Sequence, residues 1–303
     1  MGWMLAAEVG RWFVWLVAFA WGAAWGSFFN VAIYRWPRGM SVVRPPSHCP
    51  GCGEPIRAWN NVPIFGWLFL RGKASCCGSA ISPRYPLVEL LTAILFVAIA
   101  ELWVVRAPPG TMLVHATIEA LLYFVFAGGL LIATFVDLEW MEIPDEVSLP
   151  CAALGLMSAP FRTEPGLWSS AVGAGAAYLV VQLVFVWGYE HIAGRRGMGE
   201  GDSKLLLMIG AFLGWKGALF SVVAGSLQGL LFAAFALVTG RQLTPDIDER
   251  VIDGEVIEAP EEPDSSRVGQ LKLPFGPFLA LGALEYLLAG DAILSWYFGL
   301  LQR

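Results

Sequence analysis

Charge is what this sequence has least of. Only 15% of its 303 residues are Asp, Glu, Lys or Arg, against 57% that are hydrophobic. A soluble domain carries about 25% charged residues, so the shortage excludes an ordinary soluble globular protein. A basic surplus is also missing: the formal net charge is −6, and no nucleic-acid partner is expected. Nothing marks a cleaved signal. The first apolar run continues to Tyr34 with no small-residue cleavage site followed by a polar chain, so it is expected to remain as a span. No internal repeat is visible.

What is present is a series of long apolar runs, with a mean hydropathy of +0.62. A membrane span takes about 20 such residues. The pattern predicts an all-α polytopic membrane protein set in a lipid bilayer. About eight transmembrane helices are expected, near 11–34, 87–105, 115–136, 146–160, 168–189, 204–215, 217–239 and 273–298. The fourth and sixth runs are short and fit tilted, kinked or re-entrant segments. In the first run, Gly22, Ala23, Ala24 and Gly26 suit close helix packing.

Three parts are expected: a first helix (1–34), a polar cysteine module (35–86) and a helical bundle (87–303). The stretch 241–266, rich in Pro, Asp, Glu and Ser, reads as a solvated, disordered insertion. Loop 35–86 carries Arg35, Arg38, Arg44, Arg57, Arg71, Lys73 and Arg84 against one acid, Glu54. Positive residues stay inside, which puts this loop in the cytoplasm and the N-terminus outside. Counting helices forward brings 137–146 and 190–203 to the same cytoplasmic face. Arg195 and Arg196 agree with that.

Two aspartates then fall together. Asp137 ends the apolar run 130–136, where the helix dipole disfavours a negative charge. Asp202 closes Gly199-Glu200-Gly201-Asp202 and leads into Leu205-Leu206-Leu207. Ionisable groups at a bilayer boundary are costly and are functional candidates by default. Two carboxylates that meet can share one proton and activate water. Gly197, Gly199 and Gly201 open backbone torsions closed to other residues, and Lys204 and Arg195 are near enough to act on a carboxylate. Asp145, after Pro144, reads as an N-cap. Glu89 near the start of the second helix is favoured by the dipole; pairing with a module arginine, or contact with a substrate, are its alternatives.

Cysteine is concentrated in the module. Cys49-Pro50-Gly51-Cys52 is a tight C-x2-C turn, and Cys76-Cys77 follows. Two thiolate pairs can staple a small module around a tetrahedral zinc, and a cytoplasmic location disfavours a disulfide. The second pair is irregular, since adjacent side chains are expected to diverge. His48 is a substitute ligand, and a module held by tryptophans and prolines without metal is the alternative. Cys151 reads as ordinary packing.

These strings in order resemble the type IV prepilin peptidases. The similarity runs through Gly26-Ser27-Phe28-Phe29-Asn30-Val31, Tyr34-Arg35, Cys49/Cys52 with Asn61-Val62-Pro63, and Ile81-Ser82-Pro83-Arg84-Tyr85-Pro86 with Glu89-Leu90. It continues through Asp137, Ile143-Pro144-Asp145, Gly199-Glu200-Gly201-Asp202-Ser203-Lys204 and Pro274-Phe275-Gly276-Pro277. The resemblance implies an inner-membrane aspartyl protease with Asp137 and Asp202 as catalytic residues, supported by the turn residues Gly199, Gly201 and Lys204. It implies prepilin and pseudopilin substrates cut at the cytoplasmic face, then N-methylation from S-adenosylmethionine. It also implies a metal site, with Cys49, Cys52, Cys76 and Cys77 as ligands. One departure is that the family's third cysteine aligns with Ala74. No glycine-rich fingerprint marks a methyl-donor site. Two rivals are a secondary transporter using the aspartates as proton or cation ligands, and a non-catalytic assembly factor. The first predicts mid-bilayer sites and repeats, and the second leaves the paired acids unexplained.

Overall fold

The computed structural model describes residues 6, 9–49, 51–193, 198–239, 250–252, 255–257 and 273–301. The chain forms two compact units, Met1–Gly128 and Gly129–Arg303. The long apolar runs become helices at the expected positions, because a backbone in lipid must satisfy its own polar groups.

In the first unit, helix α1 (Arg11–Arg35) and helix α3 (Arg84–Ala100) flank a loop region holding the short helix α2 (Phe65–Phe69). A π-helical turn, Glu101–Val105, prolongs α3, and α4 (Leu113–Trp140) follows. Small residues bring α1 onto α3. A Cβ on Gly26 would stand 2.6 Å from the Cα of Glu89, and one on Gly22 2.8 Å from the Cα of Ala93. Gly22, Ala23 and Gly26 are buried, and Ala24 is exposed. Glu89 joins three elements. Its carboxylate accepts the Ile64 N–H at 2.6 Å, and Ser27 of α1 is close enough to act on it. Ile64 has φ 64° and ψ −54°, and the Phe65 N–H reaches the Pro63 carbonyl at 2.6 Å. That is a strained γ-turn, rare for a β-branched residue. In place of the module arginine considered for it, the partner that Glu89 has in the module is a backbone amide.

In the second unit, α5 (Asp145–Ser158) follows the end of α4. Helix α6 (Leu167–Val180) continues through a π-helical stretch, Val181–Gly188, into α7 (Tyr189–Ala193). Helix α8 (Glu200–Thr239) packs against α5, α6 and α9 (Gly276–Leu301). Helices α6 and α8 touch through glycine: a Cβ on Gly210 would enter the backbone of Gly173, and one on Gly173 would enter the backbone of Gly214 and Trp215. Helix α8 has 40 residues, about 60 Å at 1.5 Å per residue, twice the hydrocarbon thickness of a bilayer. It does not run straight. Gly214, at φ 68° and ψ −175°, breaks it close to the boundary expected between the runs 204–215 and 217–239.

Among the described residues, five helices are long and apolar enough to cross a membrane: Arg11–Arg38, Arg84–Val105, Leu113–Trp140, Leu167–Ile192 and Glu200–Thr239. Gly276–Gly290 is a shorter apolar stretch. The insertion 241–266 is not structureless throughout, as the sequence suggested. Strands β1 (Arg250–Ile252) and β2 (Glu255–Ile257) pair antiparallel, with Val251 opposite Val256. The reason is local: β-branched residues flank Asp253-Gly254, a strong hairpin signal. The rest of that segment, with Arg195, Arg196 and Gly197, lies outside the described residues.

Gly214 combines positive φ with no room for a Cβ, which would strike Ser169 Oγ and stand 3.0 Å from the Cβ of Pro165. Gly214→Ala is therefore expected to destabilise the protein by roughly 1–3 kcal/mol. Thermal unfolding in detergent checks this, and an unchanged melting temperature would count against a required break.

Candidate active site and cysteine module

Asp137 and Asp202 both lie in the second unit and are nearly buried, at 5% and 8% exposure. Asp137 sits in the last turn of α4, which extends to Trp140. Its Oδ2 accepts the Gly276 N–H at 3.0 Å. Gly276 is the first residue of α9, whose opening turn closes on the Phe275 carbonyl. A carboxylate disfavoured by its own helix C-terminus is thus met by the positive end of another.

Asp202 is not the N-cap of its helix. Helix α8 begins at Glu200, which puts Asp202 in the first turn. Its Oδ2 accepts the Gly199 N–H at 3.2 Å, while its own N–H donates to the Gly199 carbonyl at 3.2 Å. This is the reach-back half of a capping box. The two aspartates are close enough to interact electrostatically.

Ile143 sets the spacing between the two supports. A Cβ added to Gly201 would stand 3.0 Å from the Ile143 Cβ, and one added to Gly276 would stand 3.1 Å from its Cδ1. On Gly276 that same Cβ would lie 2.6 Å from Asp137 Oδ2. Both glycines are therefore required by close approach. Sequence reasoning missed Ile143 and Gly276 as site residues, although Ile143-Pro144 and Pro274-Phe275-Gly276-Pro277 stood out as strings.

Two supporting residues take roles other than those expected. Asp145 is the first residue of α5, with Pro144 in the capping position. Its carboxylate receives Lys204 Nζ at 2.6 and 2.7 Å. Lys204 therefore clamps α8 to the start of α5. The pair is half-exposed, so its net stabilisation is small; its consequence is register. Ser203 Oγ donates to the Glu200 carbonyl at 2.6 Å and lies 3.2 Å from Gln182 Oε1, in the π-helical stretch after α6.

Each aspartate thus has one oxygen held by a backbone N–H. The second oxygen of each makes no hydrogen bond among the described residues. Two interacting carboxylates, each with one oxygen not tied to a backbone amide, are a pair that can hold a water and a polarised carbonyl.

The cysteines form a separate cluster in the first unit. The sulfurs of Cys49, Cys52, Cys76 and Cys77 all lie within 4.8 Å of one another. Cys49 is 3.6 Å from Cys77, and Cys52 is 3.3 Å from Cys76. Around a tetrahedral zinc at about 2.3 Å, sulfurs stand about 3.8 Å apart, so this donor set fits the ion. The expected divergence of Cys76 and Cys77 is overturned, and the backbone shows why.

The two turns are built alike. Cys49 N–H bonds the Glu54 carbonyl and Gly53 N–H bonds the Cys49 carbonyl, at 2.9 and 2.8 Å. Ala74 N–H bonds the Ser79 carbonyl and Gly78 N–H bonds the Ala74 carbonyl, both at 2.8 Å. Gly53 and Gly78 share positive φ, at 73° and 75°. Bridges His48–Pro55 and Lys73–Ala80 close each turn. Ala74 therefore occupies the place of Cys49, and Cys76 supplies the sulfur that Ala74 lacks.

Backbone N–H groups of Gly51 and Cys52 push the Cys49 thiol down to about 6. Crowding by the Cys52 and Cys49 sulfurs pushes Cys76 up to about 12. Four adjacent thiols cannot all ionise without a cation to share.

Comparison with known proteins agrees in both units. The sequence model of the bacterial peptidase A24 N-terminal domain matches residues 20–103, and that of the type IV leader peptidase family matches residues 124–234. A prepilin leader peptidase/N-methyltransferase of Aeromonas hydrophila is 34% identical over 310 residues, covering 94% of this chain and 94% of that protein. One of Dichelobacter nodosus is 34% identical over 295 residues, covering 88% and 89%. One of Klebsiella pneumoniae is 40% identical over 201 residues, covering 64% and 83%. No solved structure matches.

The cysteine geometry predicts about one zinc per chain by elemental analysis. Cys49→Ser and Cys76→Ser should each lose most of it. Adding Ala74→Cys to Cys76→Ser should restore it, since position 74 occupies the ligand place in the second turn. Full zinc retention by Cys76→Ser alone would refute the assignment.

Proposed function

The chain belongs to the type IV leader peptidase family, and on that premise we propose that Asp137 and Asp202 form the catalytic pair of an intramembrane aspartyl endopeptidase. The observation carrying the proposal is the pairing itself: two buried carboxylates, each held through one oxygen by a helix-start N–H, with the second oxygen of each left for chemistry. Substrates are prepilins and pseudopilins, whose apolar N-terminal helix stays in the bilayer while the short basic leader is cut away. The protein lies in the inner membrane with its N-terminus outside. Loop 35–86 and the aspartates face the cytoplasm, as the arginine excess of that loop supports. The full set of eight helical runs, some of them half-length, makes up the membrane domain.

One carboxylate is ionised and takes a proton from a water held between the two. The other is protonated and hydrogen-bonds the scissile carbonyl. The resulting hydroxide adds to the carbonyl carbon. Collapse of the tetrahedral intermediate expels the amine, which takes up a proton from the pair. Close carboxylates in a partly dehydrated site titrate as a unit, so neither role belongs permanently to one residue. No metal enters this step.

The relatives' names support a second reaction: a methyl group passes from the co-substrate S-adenosylmethionine to the new N-terminal amine, which loses a proton. The cysteine module fits a structural zinc, with Cys49, Cys52, Cys76 and Cys77 as ligands; the ion would fold the module. No residue of this chain is assigned to the methyl donor.

Asp137→Asn and Asp202→Asn should each abolish cleavage of a prepilin while the protein still accumulates in membranes. Appreciable turnover by either variant would sink the pair. Gly276→Ala pushes a methyl group against Asp137, and a displacement of that kind is expected to lower kcat by about 100-fold; a single-turnover assay reads it. Mass spectrometry of the processed N-terminus should show a gain of about 14 Da only when S-adenosylmethionine is supplied.

A further inference from the structure

Arg162 lies in the connection between α5 and α6 and is buried, at 5% exposure. Its Nη1 donates to the Phe212 carbonyl at 2.6 Å. Its Nη2 reaches the carbonyls of Ala211 at 2.8 Å and Gly155 at 2.9 Å, and Ser170 Oγ at 3.3 Å. The guanidinium carbon stands 5.2 Å from the centre of the Phe212 ring.

These carbonyls have a common origin. In an unbroken helix those of Ala211 and Phe212 would bond the amides four residues on. The break at Gly214 interrupts that ladder, leaving helix-end carbonyls to be satisfied from elsewhere. The Gly155 carbonyl lies in the last turn of α5. One guanidinium therefore closes the negative ends of two short helices, α5 and the first half of α8 (200–213).

The same two helices are tied at their other ends. Lys204 grips Asp145, and Ile143 seats against Gly201. The helices run parallel, clamped at both ends, and Asp202 rides on one of them. From Asp202 to Phe212 is ten residues of continuous helix, about 15 Å. Slippage at the Arg162 end is carried to the carboxylate end.

We propose that Arg162 is a positioning residue for the carboxylate pair: it fixes the register of the first half of α8 against α5, and so the place of Asp202 beside Ile143 and Asp137. The proposal rests on the reading of those aspartates as the cleaving pair. Lysine in this place keeps the charge but has no planar fork, and a single ammonium does not hold three carbonyls in one geometry.

The test uses full-length protein in lipid nanodiscs, comparing wild type with Arg162→Lys and Arg162→Met. It measures kcat and KM on a prepilin, the melting temperature, and hydrogen exchange over residues 199–206. Arg162→Lys is expected to fold, with KM within about twofold, kcat lowered about tenfold or more, and faster exchange over 199–206, as misplacement of a reacting group predicts. A kcat loss matching only the fraction of unfolded protein would overturn the proposal, as would unchanged kcat and exchange in folded Arg162→Lys. If Arg162→Met fails to accumulate, the lysine variant decides. Hydrogen exchange does not depend on activity. Cleavage by Asp202→Asn would therefore defeat the catalytic reading, while the exchange result would still report on the register.

Discussion

The hydrogen bond from Gly276 N–H to Asp137 is the contact on which the second unit turns. A carboxylate in the last turn of an apolar helix faces carbonyls of its own sign, in surroundings where a charge without a donor is expensive. Helix α9 meets it with an opening turn stripped to glycine, and the fit is close enough that a methyl group would intrude. Pro277 in the next position costs nothing, since an amide in the first turn of a helix has no intrahelical acceptor. Asp202 is served by a local version of the same device, the Gly199 amide at the start of α8. Two helix starts converge on two acids, and Ile143 spaces them.

The apolar periods and the two acids were legible because each is written locally. A run of apolar residues declares a helix, and an aspartate at its end declares a cost. The break in α8 could be read as a boundary between runs, although only the torsions of Gly214 show that a single residue makes it. Contacts between distant positions were not legible. Asp137 and Gly276 are 139 positions apart, and no spacing rule joins them. Asp145 carried a ready local explanation as a cap, which concealed its partner Lys204. Arg162 was silent for the same reason. A lone arginine in a polar connection carries no signal until the carbonyls it closes are known.

In the cysteine module the four sulfurs named from the sequence are the ones the structure brings together, and only the geometry of the second pair was misread. Ligand spacing was judged from residue order, and adjacent cysteines suggested divergent side chains. Backbone geometry overrides that judgement, because both turns share one hydrogen-bond pattern and one positive-φ glycine. Within such a turn, more than one position aims a side chain inward. Residue 76 replaces residue 74 as donor while the fold of the turn is kept. Glu89 then anchors the loop beyond the first turn through the strained amide of Ile64. A buried acid of α3 thus ties the module down, and its clustered sulfurs form a donor set that fits an ion.

The placement of the acids also bears on the proposed choice of proteolysis over transport. A carrier needs its carboxylates near the middle of the bilayer, on elements that rearrange to open either side. Here Asp137 is in the last turn of one span and Asp202 in the first turn of another, so both lie at helix ends. Each has an oxygen tied to a helix-start amide, and the α5–α8 pair carrying Asp202 is clamped at both of its ends. Such ties oppose alternating access and favour a reaction whose groups must hold still. Hydrolysis by a shared-proton pair is of that kind, because most of its barrier is lowered by groups already in place when the substrate arrives. Ties that would hinder a carrier are compatible with the proposed carboxylate pair, whose groups would have to stay in place to activate water.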